Sequence, residues 1–407
     1  MNFDAVVDRR RSESYKWREY PADVLPLFVA DMDFQSPEPV ASALRDYVEA
    51  GVFGYPRGLH ATDRAQLREL MGLVADRMND RYGWSVSPDD VVPVPGAVAG
   101  LNIACHTLSV LAATAGAKPS VLIQPPVYPQ IFTAPAKAAV SREDSTLHRD
   151  DNGHYSVDWD SFARLAKNAG MFILCNPHNP AGRVFTRAEL ARMAEICLDT
   201  GTIICADEIH SDLLFDDHEH IPIASLDASI AHRTITLTGP SKTFNLAGLQ
   251  CGFAIVQDPE LRRRYRKFRN AVVPWVNVMG VIGAEAAYRY GQPWLNELLP
   301  YLQANRDFLC AYVRRELPGV AVREPEATYL AWLDCRELAL ENPYEFFLER
   351  ARVALSDGRE FGAGGAGFVR LNFACPRATL EEALRRMKDA LNARTASTES
   401  DPSLRSG

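Results

Sequence analysis

The chain reads as an α/β protein: a mostly parallel sheet covered by helices, accompanied by a smaller α+β domain. Three observations predict this. Short apolar runs alternate with helical patterns through the middle of the chain, the signature of strands joined by crossover helices. Residues able to do chemistry fall just after those runs, where such sheets bind their ligands. Beyond about residue 258 the pattern becomes helical and charged, and a second, smaller set of strand patterns follows.

Size and composition agree. A chain of 407 residues suggests two or three units of roughly 100–200 residues. Hydrophobic content of 47% and charged content of 24% are those of a globular protein. With 44 Lys+Arg against 52 Asp+Glu, the net charge of −8 argues against nucleic acid as a partner, because such binding needs basic patches. The eight cysteines contain no CxxC pair, so the common zinc and redox spacings are missing and no metal is expected. Most lie in apolar runs, as small hydrophobes suited to a reducing cytoplasm. The first thirty residues carry scattered charges that include Asp4, Asp8, Arg9, Arg10, Arg11, Glu13 and Lys16, with no apolar signal core. The most membrane-like stretch, 97–117, is interrupted by Asn102, His106, Thr107 and Ser109. It reads as a buried helix, not a membrane span.

In chain order, 120–124, 171–175, 202–206, 234–238 and 252–256 read as buried strands. Residues 158–168 and 186–200 read as helices. Thr186 and Glu189 form a Thr-x-x-Glu capping box at the start of the second. Strands at 328–334 and 368–373, with helices at 343–355 and 379–391, make up the smaller domain. The expected division is 48–288 for the large domain and 1–47 with 289–392 for the small one. Residues 393–407 are polar and without periodicity, so disorder is expected there.

Five places stand out. Asn176-Pro177-His178-Asn179-Pro180 follows an apolar run, and its Asn-Pro pairs force a non-helical turn. Asn179 offers an amide to a ligand there, or serves the turn alone. Asp207 ends a buried strand, where a carboxylate needs a cationic partner or a capping role. His210 lies three residues on. Ser241-Lys242 follows another strand; a lysine in such a setting binds phosphate or acts as a nucleophilic amine. Gly96 and Ala97 open a helix, where free backbone N–H groups hold an anion. Arg370 sits inside the apolar strand pattern FVRLNF and suits bidentate binding of a carboxylate.

Together these residues resemble the fold-type I pyridoxal-phosphate enzymes, the aspartate aminotransferase superfamily, from about residue 25 to 392. The segments FVADMDF (28–34), GVFGYPRG (51–58), CNPHNPAGRVF (175–185), ADEIHSDLLF (206–215) and PSKTFNLAGLQ (240–250) look like its cystathionine β-lyase branch, typified by MalY and PatB. The resemblance implies a seven-stranded sheet and a pyridoxal 5'-phosphate cofactor. It implies that Lys242 forms the Schiff base, Asp207 pairs with the pyridinium nitrogen, and Asn179 contacts the ring's 3-oxygen. Tyr128 would stack on the ring, with His210 and Ser241 beside the cofactor. Gly96 and Ala97 would hold the phosphate. Arg370, with Asn179, would bind the substrate carboxylate. Tyr55 would reach the partner subunit's phosphate, which makes the active unit a homodimer with sites at the interface. Two departures are informative. His210 stands where many aminotransferases carry Tyr, and Gln250 stands where they usually place an Arg on the phosphate.

The expected activity is therefore a C–S β-lyase acting on a small sulfur amino acid. An aminotransferase using the same site, and a regulatory binding protein, are the competing readings. Three segments look like motifs and are read otherwise. GAGGAG (362–367) precedes a strand, so it is expected to be a flexible loop and not a dinucleotide turn. Asp216-Asp217-His218-Glu219-His220 is expected to be a solvated turn, not a metal cluster. The basic run 262–269 is expected to be a solvated helix face.

Overall fold

Residues 1–54, 65–114 and 119–400 are described, from a computed structural model. The central sheet has seven strands: β1 Val91–Val94, β2 Ser120–Ile123, β3 Ser141–Asp144, β4 Met171–Cys175, β5 Ile203–Asp207, β6 Thr234–Thr238 and β7 Gly252–Ile255. Their order is β1-β7-β6-β5-β4-β2-β3. Only β7 runs against its neighbours β1 and β6; the other pairs are parallel. Every residue of β4, β5 and β6 is buried, as expected for strands covered on both faces. This is the predicted mostly parallel seven-stranded α/β sheet.

Register then sets the site. Cys175 of β4 lies opposite Asp207 of β5, and Asp207 lies opposite Leu237 of β6. Three strands therefore end level. Asp207 itself ends β5, and the segments after β4 and β6 bring Asn179 and Lys242 to the same end of the sheet.

Local signals behave as their chemistry dictates. Thr186 accepts from the Glu189 N–H, and Glu189 accepts in return, so the predicted capping box opens the helix Arg187–Thr200. Gly201 closes that helix at φ +72°, a left-handed conformation that costs glycine little.

A second sheet holds β8 Ala321–Val322, β9 Leu330–Asp334, β10 Ser356–Asp357 and β11 Phe368–Asn372, in the order β8-β9-β11-β10. It is antiparallel throughout. Arg370 lies on β11 between Trp332 of β9 and Ser356 of β10. One apolar cluster joins Phe3, Leu27 and Met32 to Trp294, Leu330 and Leu371. The N-terminal segment thus packs against elements some three hundred residues later.

Four expectations need correction. The helix expected over 343–355 lasts only Pro343–Phe346 and one wider turn, Phe347–Ala351. Arg352 then takes φ +56°, and Val353–Ala354 pairs in parallel with Leu25–Pro26. A tertiary strand partner overrides helical periodicity there. The last helix runs Arg377–Ser400, into the tail expected to be disordered. Extending an anchored helix by a turn or two adds hydrogen bonds without a new nucleation cost. Residues 401–407 lie outside the described residues. The loop 362–367 is packed rather than open: a Cβ on Gly365 would collide with the Gly358 carbonyl oxygen. In the basic helix Pro259–Val272, Arg269 is buried and its guanidinium sits 4.5 Å from the Trp275 ring centre. That face is therefore not wholly solvated.

Candidate active site

A cavity of about 200 Å³ opens at the level ends of β4, β5 and β6. Gly96, Ala97, Tyr128, Asn179, Asp207, His210, Ser241 and Lys242 all line it. Arg370 joins them through Asn179, donating from Nη1 to Oδ1 at 3.0 Å. Tyr55 lies outside the described residues.

Each residue is positioned by a local cause. β5 carries Asp207 to the cavity floor, where its Oδ1 accepts from the Ile209 N–H at 3.3 Å. Burial is the largest influence on this carboxyl and pushes its pKa up to about 6, against the pull of the Lys242 charge. Gly239 and Pro240 start the short helix Pro240–Thr243, which turns Lys242 inward. Its Nζ donates to the Ala30 carbonyl oxygen at 2.6 Å. Desolvation lowers this amine to about 8; Arg370 adds to the shift, while Asp31 and Asp207 oppose it. An amine near pH 8 is deprotonated often enough to act as a base or nucleophile.

Arg370 is held from behind by the Phe28 carbonyl oxygen at 2.8 Å and Ser356 Oγ at 3.1 Å. Its burial lowers the guanidinium to about 10, and Nε has no protein partner. A buried cation with unused donor capacity suits a carboxylate ligand. His210 is buried and desolvated, which moves its pKa well below the usual value and keeps it neutral. Its Nδ1 is buried without a partner. Tyr128 caps the helix Pro129–Lys137 and faces both Arg370 and Asp207. Gly96 adopts φ +102°, with nothing within 4 Å of where a Cβ would stand. The start of the helix Ala97–Thr114 is thereby left open to a ligand.

Several participants escaped the sequence reading. The Ala30 oxygen accepts from both Lys242 and Tyr329, the latter at 2.9 Å, but a backbone carbonyl has no sequence signature. Asp212 is buried against Arg77 at 2.8 Å and Arg81 at 3.3 Å, and accepts from Thr243 at 2.8 Å. It thereby anchors the residue after Lys242. His220 of the expected solvated turn is buried, with Nε2 3.1 Å from Glu208 Oε2. The pairing needs a buried acid beside Asp207, which spacing does not reveal. Among the described residues no group of three or more His, Cys, Asp or Glu could hold a metal, and no helix is long and apolar enough to cross a membrane. All eight cysteines are free and buried. Cys175 nevertheless lines the cavity and accepts from the Asn179 N–H at 3.5 Å.

The aminotransferase class I and II family matches residues 22–387. The chain belongs to that family. It is similar to the cystathionine β-lyase PatB of Bacillus subtilis, at 36% identity over 96% of this chain and 100% of that one. Among solved structures, OvoB is 40% identical, with TM-score 0.88, 97% of this chain and 100% of that chain covered. Cystalysin from Treponema denticola, which contains pyridoxal 5'-phosphate, is 30% identical with TM-score 0.88, covering 97% of this chain and 99% of that one.

The family depends on pyridoxal 5'-phosphate, and the cavity suits that group. Asp207 is a buried carboxylate for which a protonated ring nitrogen is a fitting partner. Lys242 supplies a deprotonatable amine, and Gly96 an open, left-handed turn at a helix start.

Proposed function

We propose that the protein is a pyridoxal-phosphate-dependent C–S β-lyase that cleaves cystathionine or related S-substituted cysteines to a thiol, pyruvate and ammonia. The observation that carries this reading is the meeting of Lys242, Asp207 and Arg370 around one cavity, with Lys242 held to Ala30 of FVADMDF. That segment belongs to the lyase-like pattern of the chain, and the full-length similarity to PatB supports the same branch.

Pyridoxal 5'-phosphate, when bound, supplies an electrophilic carbon for the amino group and a ring that withdraws electrons from Cα. Lys242 would anchor it, Asp207 would face the ring nitrogen, Asn179 the 3-oxygen and Tyr128 the ring face. His210 and Ser241 would lie beside it, and Gly96 with Ala97 would hold the phosphate. Gln250, also lining the cavity, brings no charge to that phosphate.

The chain's own residues then do four things. Arg370 binds the substrate carboxylate, with Asn179 fixing the guanidinium plane. This orients Cα towards Lys242. The Lys242 amine removes the Cα proton. Asp207, as a carboxylate, favours a proton on the group facing it. The electron pair left at Cα forms a Cα–Cβ double bond as the C–S bond breaks, the thiolate leaves and takes a proton, and water hydrolyses the released enamine to pyruvate and ammonia.

Val98 on the cavity rim is partly exposed, and Val52, Phe53, Val272 and Trp275 are exposed apolar side chains. These support a homodimer in which a second copy, through Tyr55, completes the site. The division into 48–288 and 1–47 with 289–392, and residence in the cytoplasm, belong to the same proposal.

Cystathionine incubated without an oxo acid is expected to yield pyruvate and thiol. Conversion only when an oxo acid is added would assign the protein to the aminotransferases instead.

A further inference from the structure

Arg9 and Lys16 occupy a segment to which the activity assigns nothing. Lys16 is almost fully buried, which is rare for a lysine without a partner. Its Nζ donates to Asp33 Oδ2 at 2.8 Å and lies 3.5 Å from Asp31 Oδ1. Arg9 spans the same two acids, with Nη1 on Asp33 and Nη2 on Asp31, each at 2.6 Å. Trp17 Nε1 adds a bond to Asp33 at 2.7 Å.

The two acids are therefore unequal. Asp33 is saturated by three donors. Asp31 has one short contact, and its Oδ1 is buried with no hydrogen bond. Asp31 directly follows Ala30, whose carbonyl oxygen accepts from Lys242. The backbone between them cannot drift: Asn372 Nδ2 donates to the Val29 and Asp31 oxygens at 2.6 Å each, and Asn245 Nδ2 to Met32 O at 3.0 Å and Phe34 O at 2.9 Å.

We infer that Asp31 is a positioning residue for the Lys242 amine, and that Lys16 and Arg9 hold it and partly balance its charge. Asp31 touches neither the cavity's ligand space nor Lys242 through a hydrogen bond. It acts through its field and through the carbonyl before it. Among the described residues the other charged or titratable groups around Lys242 include Asp207, His210, Arg370, Tyr329, Tyr128, Cys175 and Cys251. Asp207 attracts the ammonium form and Arg370 repels it, and Asp31 adds to the attraction. Desolvation lowers the amine, and Asp31 is the first charge opposing it.

Opposite effects of the two charges distinguish this from a structural role. Removing the carboxylate should release the Lys242 proton more readily, whereas removing the buried cation should retain it. The inference rests on Lys242 being the reactive amine, yet it is read on the chain alone. Full-length, cofactor-free protein is treated with trace acetic anhydride from pH 6 to 10, and Lys242 acetylation is followed by peptide mass spectrometry. Asp31→Asn is expected to lower the labelling midpoint by about half to one pH unit, giving roughly threefold to tenfold faster labelling near neutrality. Lys16→Met is expected to raise the midpoint and slow labelling. Should one variant fail to fold, as judged by circular dichroism, the other decides. Midpoints equal to that of the unaltered chain, or shifts of the same sign, would overturn the inference. Failure of the lyase reading shows elsewhere, as cystathionine yielding no pyruvate with the unaltered protein unless an oxo acid is added.

Discussion

Arg370 and Asn179 meet at 3.0 Å across 191 residues of chain. One comes from the middle of the smaller sheet, the other from the turn after β4. Their bond joins the two sheets at the cavity. Replacing Arg370 with Ala removes the guanidinium and leaves Asn179 Oδ1, the Phe28 oxygen and Ser356 Oγ without that donor. If a desolvated carboxylate contact is lost, amino-acid binding should weaken by about 2–5 kcal/mol. Steady-state kinetics with cystathionine should show this chiefly in KM. An unchanged KM and rate would remove Arg370 from the substrate site.

Lys242→Ala deletes the amine that donates to Ala30. Pyruvate release should fall by about two to four orders of magnitude, the range of a lost general base. Covalent retention of cofactor through gel filtration should disappear as well. Retention of both would contradict the assignment.

Asp207 gives a pH-dependent stability of definite sign. Its pKa rises from 3.8 to about 6 on folding, chiefly by desolvation. The native state thus binds more protons than the unfolded one between those values, and the cofactor-free chain loses stability as pH rises from about 4 to 6. Lys242 acts in the other window. It falls from 10.5 to about 8, so its contribution to stability rises as pH increases from about 8 to 10.5. Asp207→Asn should accordingly stabilise the cofactor-free protein at pH 7, by up to about 3 kcal/mol, and do little at pH 4. Thermal melts at the two pH values test this. A loss of stability at pH 7 would show that Asp207 has a compensating partner.

Asp212→Ala should be costly in a different way. It leaves Arg77 and Arg81 without their buried carboxylate and Thr243 without its acceptor. Uncompensated buried charge costs about 3–5 kcal/mol. Because Thr243 follows Lys242, the rate should fall together with the melting temperature. A variant of normal stability would mean that the arginines find water.

How much of this was legible in the sequence follows the range of each interaction. β4, β5 and β6 were readable because burial on both faces leaves continuous apolar runs, and the Thr186 cap because its chemistry spans three residues. Asp207 and Lys242 were readable because a polar group just past such a run is costly without a purpose. Lys16, Arg9 and the Ala30 carbonyl were not. Their partners are distant in the chain, and FVADMDF carries no periodicity to betray a buried ion cluster. His220 was misread for the same reason, because its acid partner lies twelve residues away. The strand Val353–Ala354 was hidden by a local pattern that tertiary pairing overrode.

The contacts around the cavity span 191, 212 and 342 residues. Each requires loop closure on the scale of a whole domain, and such closures are slow to form. A growing chain that ends before Arg370 therefore already carries Lys242 but still lacks the guanidinium proposed to bind the substrate carboxylate. Competence arrives only after the last strand of the smaller sheet has been made and the first thirty residues have folded back over it. Lys242 is in this way separated from the Arg370 guanidinium until the smaller sheet is whole.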